Sequence, residues 1–410
     1  MTAARRPGTG TDGVLGAVPR LVFVPATVEE AAEAVRECAR DKLSLAFVGG
    51  GTDLGLGSPP SRLDAVLRTE GLARVVEHAP SDQIVSVEAG LSLSALQRTL
   101  AGHGQRLALD PPFPDRATAG GIVAANAFGP LRARYGAVRD LIIGVSIVRA
   151  DGAVARGGGK VVKNVAGFDL PRLMVGSLGT LGLVATVNFR LHPLPEARST
   201  VLCPVLSAEA ARSLLVAARS AQLEPAAVAA LASGGALDLG VRFEGFAPGV
   251  KQQGDRLLDL VVKAKLHAER LDEAAAGAFW ERHDRVRESG TFRARLSAPP
   301  SALAAVVRDA VAPLLAPLAG GGAALYPTLG LGFVCGDPAS GPAAAAAANA
   351  ARDALATLGG SLVLAAAPAG VRAAADAWGP APSALALMLS LKDRLDPERR
   401  LAPGRFAGGL

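Results

Sequence analysis

At 410 residues the chain is longer than one ordinary hydrophobic core supports and long enough for two compact domains. Half of its residues are hydrophobic, 20% are charged and 4% are aromatic, which excludes a disordered chain and supplies ample aliphatic material for a core. The net charge of +6 is spread along the chain, and the Arg-rich stretches at 132–139 and 394–400 lack interleaved aromatic residues that could stack on bases, so anionic cofactors and acids are expected partners and nucleic acid is not.

Residues 1–20 are expected to be a flexible N-terminus: Arg5 and Arg6 are followed by Gly, Thr and Asp rather than an apolar run, so no signal peptide is evident. Thr27 as an N-cap, Glu29 and Glu30 in a first turn, and Ala31, Val35 and Cys38 on one face predict a helix over 27–40. The short apolar run 43–48 reads as a strand, and Gly49-Gly50-Gly51 as a loop after it. Such a glycine run lets consecutive backbone N–H groups converge into a nest that holds a pyrophosphate, with Thr52 adding a hydroxyl donor; taken alone it also reads as an ordinary strand-to-turn connection. It is not the Gly-x-Gly-x-x-Gly fingerprint opening a helix, because Leu54, Gly55, Gly57, Pro59 and Pro60 make a poor helix start, which disfavours a nicotinamide site.

Further strands are predicted at 84–88, 141–149 and 182–191, with helices near 92–102 and 117–127. The stretch from Leu109 through Pro111, Thr118, Gly120 and Gly121 to Asn126 joins a proline-fixed loop to small residues, a composition that lets a flat ring approach backbone or a helix pack tightly on a sheet. From Lys163 to Gly182 the chain places Gly176, Gly179 and Gly182 at three-residue spacing before an apolar strand. His192-Pro-Leu-Pro195 closes this α+β segment and marks the expected domain boundary.

Beyond it, extended segments near 199–205, 238–244 and 291–297 alternate with helical ones near 208–220, 250–267, 301–317 and 341–357, which reads as a second α+β domain without a fixed-period repeat. The Ala-rich run from Ala343 is broken by Asn349, Arg352 and Asp353 and makes a poor membrane span. Cys38, Cys203 and Cys335 are far apart, so neither an iron–sulfur cluster nor a close-spaced zinc site is expected, and a reducing compartment fits.

In this order and spacing, the three glycine-bearing segments resemble the FAD-binding domain of the vanillyl-alcohol-oxidase-type (PCMH-type) flavoproteins, the family of D-lactate dehydrogenases and glycolate oxidases. The tail from Leu391 to Arg405 is similar to that family's closing Lys, Asp-Pro and Pro-Gly-Arg pattern. The resemblance implies an α+β fold: a two-subdomain FAD-binding domain at 21–195, a smaller ferredoxin-like α+β cap at 196–390, and a tail at 391–410 returning to the first domain. It implies that Gly49, Gly50, Gly51, Thr52 and Asp53 hold the FAD pyrophosphate. Pro111, Thr118, Gly120, Gly121, Ala124 and Asn126 would line the isoalloxazine and ribityl portion, and Gly182 to Val184 would meet the adenine side. Arg134-Tyr135-Gly136 resembles the family's turn near the flavin. No His maps to a covalent attachment point, so noncovalent FAD is expected.

Two departures narrow the resemblance. The family's catalytic subunits read Gly-Ser-Glu-Gly-Thr-Leu-Gly where this chain has Gly176-Ser-Leu-Gly-Thr-Leu-Gly182, and their His-Gly-Asp-Gly-Asn-x-His segment is absent; His267 and His283 stand without the partners a metal site needs. Together with the segment Lys160–Asp169, these departures look like the second FAD-binding subunit of the three-part bacterial glycolate oxidase. That resemblance implies a larger FAD-binding subunit and an iron–sulfur subunit as partners, a small 2-hydroxy acid as substrate, and a cytoplasmic location or peripheral attachment to the inner membrane through the complex. Trp280, Arg293, Arg295 and Arg405 are candidate substrate contacts. Each also has a plainer reading, as a cap-core Trp, as exposed strand Arg residues, and as an anchor for the tail. No catalytic base is assigned.

Overall fold

The computed structural model describes residues 3–159, 167–233 and 236–410. Two compact units divide the chain: Met1–Gly129, Gly136–Leu194 and Pro380–Leu410 form one, Pro130–Tyr135 and Pro195–Gly379 the other.

In the first unit, strands Ala4–Pro7, Leu21–Val24, Ala65–Arg68 and Leu45–Val48 lie in that order in a four-stranded sheet whose last three strands are parallel. Helix Val28–Arg40 starts where Thr27 accepts the Glu30 amide at 3.1 Å. Its Ala31, Val35 and Cys38 pack on Phe23, Leu45 and Leu67, while the alternate residues Val22, Ala46, Val48 and Val66 face a second, smaller apolar cluster. A five-stranded antiparallel sheet follows, in the order Val75–Ala79, Ile84–Glu88, Leu183–Arg190, Ile142–Val148, Val154–Gly158. Helices Leu93–Ala101 and Ala119–Ala125 bury Leu96, Leu100, Ile122 and Val123 against its Val85, Val87, Val145 and Phe189.

The segment expected to be a flexible N-terminus is instead built into the first sheet. Ala4–Pro7 pairs with Leu21–Val24, and Asp12, only 2% exposed, accepts from both Arg6 and Arg68. A buried carboxylate persists only where such donors meet it, and here one of them lies 56 residues away, beyond any local pattern. The tail is similarly tied. The returning segment begins at Pro380, earlier than the expected 391. Leu45 donates to the Arg400 carbonyl at 2.9 Å and Ala402 to the Leu45 carbonyl at 2.8 Å, so the tail runs as an extra parallel bridge beside strand Leu45–Val48.

The second unit is built on one eight-stranded sheet. Its first half runs Ala197–Leu206, helix Ala208–Ser220, Ala227–Ser233, Ala236–Gly245, helix Ala247–Lys263, Glu269–Leu271; its second runs Phe292–Ser297, a helical stretch over 303–315, Leu318–Tyr326, Leu331–Pro338, helix Gly341–Thr357, Ser361–Ala366. Each half is a strand-helix-strand-strand-helix-strand unit of ferredoxin-like order, and the halves join where Ala227–Ser233 pairs with Leu318–Tyr326. The duplication is topological and leaves no fixed period in the sequence. Residues Pro130–Tyr135 belong with this unit: the Tyr135 hydroxyl donates to Glu244 at 3.1 Å and Arg134 donates to the Glu224 carbonyl at 2.9 Å. Among the described residues no helix is long and apolar enough to cross a membrane.

Candidate cofactor site

Three segments of the first unit converge on a cleft with about 830 Å³ of open space, part of it continuous with solvent. It lies at the C-terminal ends of the parallel strands Leu45–Val48 and Ala65–Arg68, where sheets of this kind place their ligands.

Strand Leu45–Val48 delivers the loop Gly49–Asp53 to the cleft. A Cβ on Gly50 would lie 1.6 Å from the Arg116 carbonyl oxygen, and one on Gly49 2.3 Å from Thr118 Oγ1, so this backbone passes only as glycine. Gly51 sits at φ 74. Arg116 braces the loop by donating to the Gly50 carbonyl at 3.3 Å. The Gly50 and Gly51 amides meet no acceptor among the described residues.

The second segment is helix Ala119–Ala125, capped by Thr118, whose Oγ1 accepts the Gly121 amide at 3.3 Å. The Gly120 amide donates to Ala89 at 2.8 Å, and Gly120, Gly121, Ala124 and Ala125 line the cleft. The third is the turn ahead of strand Leu183–Arg190. Gly176 donates to Val123 and Leu178 to Ala124, both at 2.9 Å, which seats the turn on the second segment. Leu178, at φ 50, lines the cleft together with Gly179, Gly182, Leu183 and Val184. Arg405 closes one side, its guanidinium donating to the Leu54 carbonyl at 3.1 Å and the Leu56 carbonyl at 2.7 Å.

The cleft thus gathers Gly49, Gly50, Gly51, Thr52, Asp53, Thr118, Gly120, Gly121, Ala124, Gly182, Val184 and Arg405. Pro111 and Asn126 are not in its lining. Pro111 is buried in the preceding loop, and Asn126 ends the second segment's helix at φ 46 with its Oδ1 buried and without a partner among the described residues. Arg134 belongs to the second unit and is engaged with Glu224 there, because its short helix Arg132–Tyr135 is anchored through Tyr135. The stretch Lys160–Ala166, part of the third motif, lies outside the described residues.

Trp280, Arg293 and Arg295 also lie in the second unit. Trp280 is buried, donates to Thr200 Oγ1 at 3.1 Å and carries the Arg242 guanidinium 3.9 Å above its ring, as a core residue would. Arg293 and Arg295 stand half-buried on strand Phe292–Ser297, with Arg295 5.9 Å from the Phe333 ring. Beside them His283 is buried between the Tyr326 hydroxyl and Asp284, each at 3.0 Å; burial first, then Arg287, pushes its imidazole down to about 4.

Sequence reasoning missed Val14, Thr69, Ala89 and Ala402, which also line the cleft. Thr69 carries no signal in the sequence: only the parallel register, with Val48 level with Arg68, sets it beside Gly49 at the strand ends. It is 4% exposed and its Oγ1 has no partner among the described residues.

These features fit a flat anionic dinucleotide. The glycine loop offers free amides and room where side chains would be, Thr69 offers an unsatisfied hydroxyl, and Arg405 sets a fixed positive charge beside them. Residues 19–158 match the family model described as FAD binding domain. The chain is 36% identical over 166 residues to glycolate oxidase subunit GlcE of Escherichia coli, covering 40% of this chain and 47% of that one. It is 31% identical over 209 residues to glycolate oxidase subunit GlcD of Bacillus subtilis, covering 51% of this chain and 44% of that one. It is 32% identical over 203 residues to a D-lactate dehydrogenase of Archaeoglobus fulgidus, covering 49% and 45%. The matched stretch therefore spans just under half the length of these curated relatives. Among solved structures, p-cresol methylhydroxylase superposes with a TM-score of 0.73 at 16% identity, covering 94% of this chain and 88% of that one. Alkyldihydroxyacetonephosphate synthase does so with a TM-score of 0.73 at 17% identity, covering 95% and 78%. Residues 19–158 are therefore an FAD-binding domain, the fold is that of the PCMH-type flavoproteins, and FAD is the cofactor.

Proposed function

We propose that this chain is the FAD-binding subunit of a glycolate-oxidase-type oxidoreductase, oxidising a 2-hydroxy acid to the 2-oxo acid beside a larger FAD-binding subunit and an iron–sulfur subunit. The observation that supports it best is the Gly49–Asp53 loop, in which the Gly50 and Gly51 amides meet no acceptor among the described residues, within the stretch that matches the FAD binding domain. In this reading those amides hold the pyrophosphate without a covalent bond to the protein. Thr118, Gly120, Gly121 and Ala124 leave a side-chain-free wall for the ring system and ribityl chain, and Gly182 and Val184 take the adenine side. Arg405 is fixed by two carbonyls, so its charge balances the anionic cofactor without having to reorganise. When bound, FAD supplies the acceptor for the hydride leaving the α-carbon of the hydroxy acid. The subunit names of two relatives favour an assembly, and the place of work is the cytoplasm or the inner face of a membrane reached through that assembly.

One observation favours a second reading, in which the chain binds FAD as an electron relay while its larger partner oxidises the acid. Leu178 puts an apolar side chain in the cleft, and Asp53 and Arg405 are the ionisable residues of its lining. Anaerobic addition of glycolate or D-lactate to the purified, FAD-loaded chain separates the two. Bleaching of the visible flavin bands supports an active subunit, and a spectrum that stays oxidised with both acids supports the relay.

A further inference from the structure

One wall of the cleft comes from the segment that sequence reasoning left as a loose end. Between strand Ala4–Pro7 and strand Leu21–Val24 the chain makes a short turn, Gly10–Asp12, and then a tight hairpin in which Val14 and Ala17 exchange amides at 2.9 and 3.1 Å around Leu15 at φ 50 and Gly16 at φ 89. This turn drives the Val14 side chain inward. Val14 is 1% exposed, packs with Val22, Ala46, Val48, Leu63, Val66 and Ala402, and lines the cleft. Helix Val28–Arg40 covers one face of the sheet, whereas Val14 and Ala402, with Leu63, Ala17 and Leu54, pack on these apolar side chains on the other.

Asp12 holds the hairpin in place. Its carboxylate accepts from Arg6 Nη1 and Nη2 at 2.7 and 2.8 Å, from the Thr9 amide and hydroxyl at 3.1 and 2.8 Å, and from Arg68 Nη1 at 3.2 Å. Arg68 is the residue directly before Thr69, on the cleft wall. These donors, the Arg6 pair first, hold the Asp12 carboxyl well below the usual range. The latch therefore ties the hairpin to the strand that ends at the cofactor.

We propose that Ala4–Ala17 is a latched strap forming part of the FAD site, and that Asp12 is a positioning residue controlling how fast FAD leaves. This rests on the assignment of FAD to the cleft. With the latch weakened, Val14 withdraws, the apolar floor opens to water and the bound cofactor loses one wall. Reciprocally, bound FAD must hold the strap shut, because a ligand that prefers the closed state lowers the population of the open one.

The test uses the full chain loaded with FAD. Release is followed by the recovery of free-flavin fluorescence after dilution, for the wild type, Asp12→Asn, Val14→Ala and the surface control Arg308→Ala, whose partner Asp309 lies in the second unit. Asp12→Asn should release FAD about tenfold faster, Val14→Ala several-fold faster and the control at the wild-type rate. In parallel, FAD should slow trypsin cleavage after Arg5 of the wild type by about tenfold or more, with cleavage sites in the second unit unaffected. If Asp12→Asn fails to fold, the wild-type protection measurement decides. Release from Asp12→Asn at the wild-type rate, or cleavage after Arg5 indifferent to FAD in a chain that does bind FAD, overturns the strap and leaves the cofactor assignment standing. A wild-type chain that takes up no FAD defeats the assignment itself and the strap with it.

Discussion

Gly50 carries more of the site than any side chain does. Its α-carbon faces the Arg116 carbonyl so closely that even a methyl group must push the loop away from the Thr118 helix cap. Gly50→Ala should therefore weaken FAD binding by about 2 kcal/mol or more, at least tenfold in Kd, while far-UV circular dichroism stays that of the wild type; an unchanged Kd would remove the loop from the site. Residues of this kind were legible only in combination: a glycine run after an apolar strand also reads as an ordinary turn, and the order and spacing of the three glycine-bearing segments singled it out. Arg405 was legible only as a tail anchor or a substrate contact, and its bonds to Leu54 and Leu56 make it an anchor that also faces the cleft. Val14, Thr69 and Ala402 were not legible, since each is an ordinary residue made part of the site by a partner strand or a distant hydrogen bond.

At the scale of elements, the returning tail depends on one buried ion pair. Lys392, 1% exposed on helix Leu385–Leu395, donates to Asp396 Oδ2 and the Thr180 carbonyl at 2.7 Å and to the Leu401 carbonyl at 2.9 Å, so it joins the tail to the turn that walls the cleft. Burial pulls its ammonium below the ordinary value while Asp396 opposes the shift. Lys392→Met leaves the Asp396 carboxylate buried without its cation and should cost about 3–5 kcal/mol, read as a lower midpoint in urea unfolding; a midpoint within error of the wild type would show the pair to be dispensable. The elements around the site were largely readable from capping residues and period, as with Thr27 and helix Val28–Arg40 or strand Ile84–Glu88. Strands Ala227–Ser233 and Leu318–Tyr326 escaped because Ala and Gly have low strand propensity, and here burial in the sheet overrides it. The helical reading over 301–317 is met by a run broken into turns of different pitch, with a π-type turn at Val306–Val311 just ahead of Pro313, which has no N–H to give.

At the scale of the molecule, the two units answer to different conditions. The second unit buries His283 neutral among Tyr326, Asp284, Arg287 and Arg242. An unfolded chain binds this proton at an ordinary value near 6.5, the folded one only at about 4, so between these limits the unfolded state holds more protons and stability falls as pH drops. A difference of that size amounts to about 3 kcal/mol, fully present above pH 6.5 and lost progressively toward pH 4. In His283→Gln the pH dependence of the unfolding midpoint over this window should flatten; an unaltered slope would place the titrating group elsewhere. The overall division into an FAD-binding part and a ferredoxin-like part was suggested by the order of motifs, whereas the internal duplication of the second unit and the early return at Pro380 emerge only from strand order and long-range pairing.

The most direct measurement is an equilibrium titration of the flavin-free chain with FAD, followed by acid precipitation. Expected is saturable uptake of a single FAD, lost or strongly weakened in Gly50→Ala, with all of the flavin recovered intact in the supernatant. A chain that takes up no FAD would contradict the cofactor assignment, and flavin that stays with the precipitate would contradict a noncovalent site.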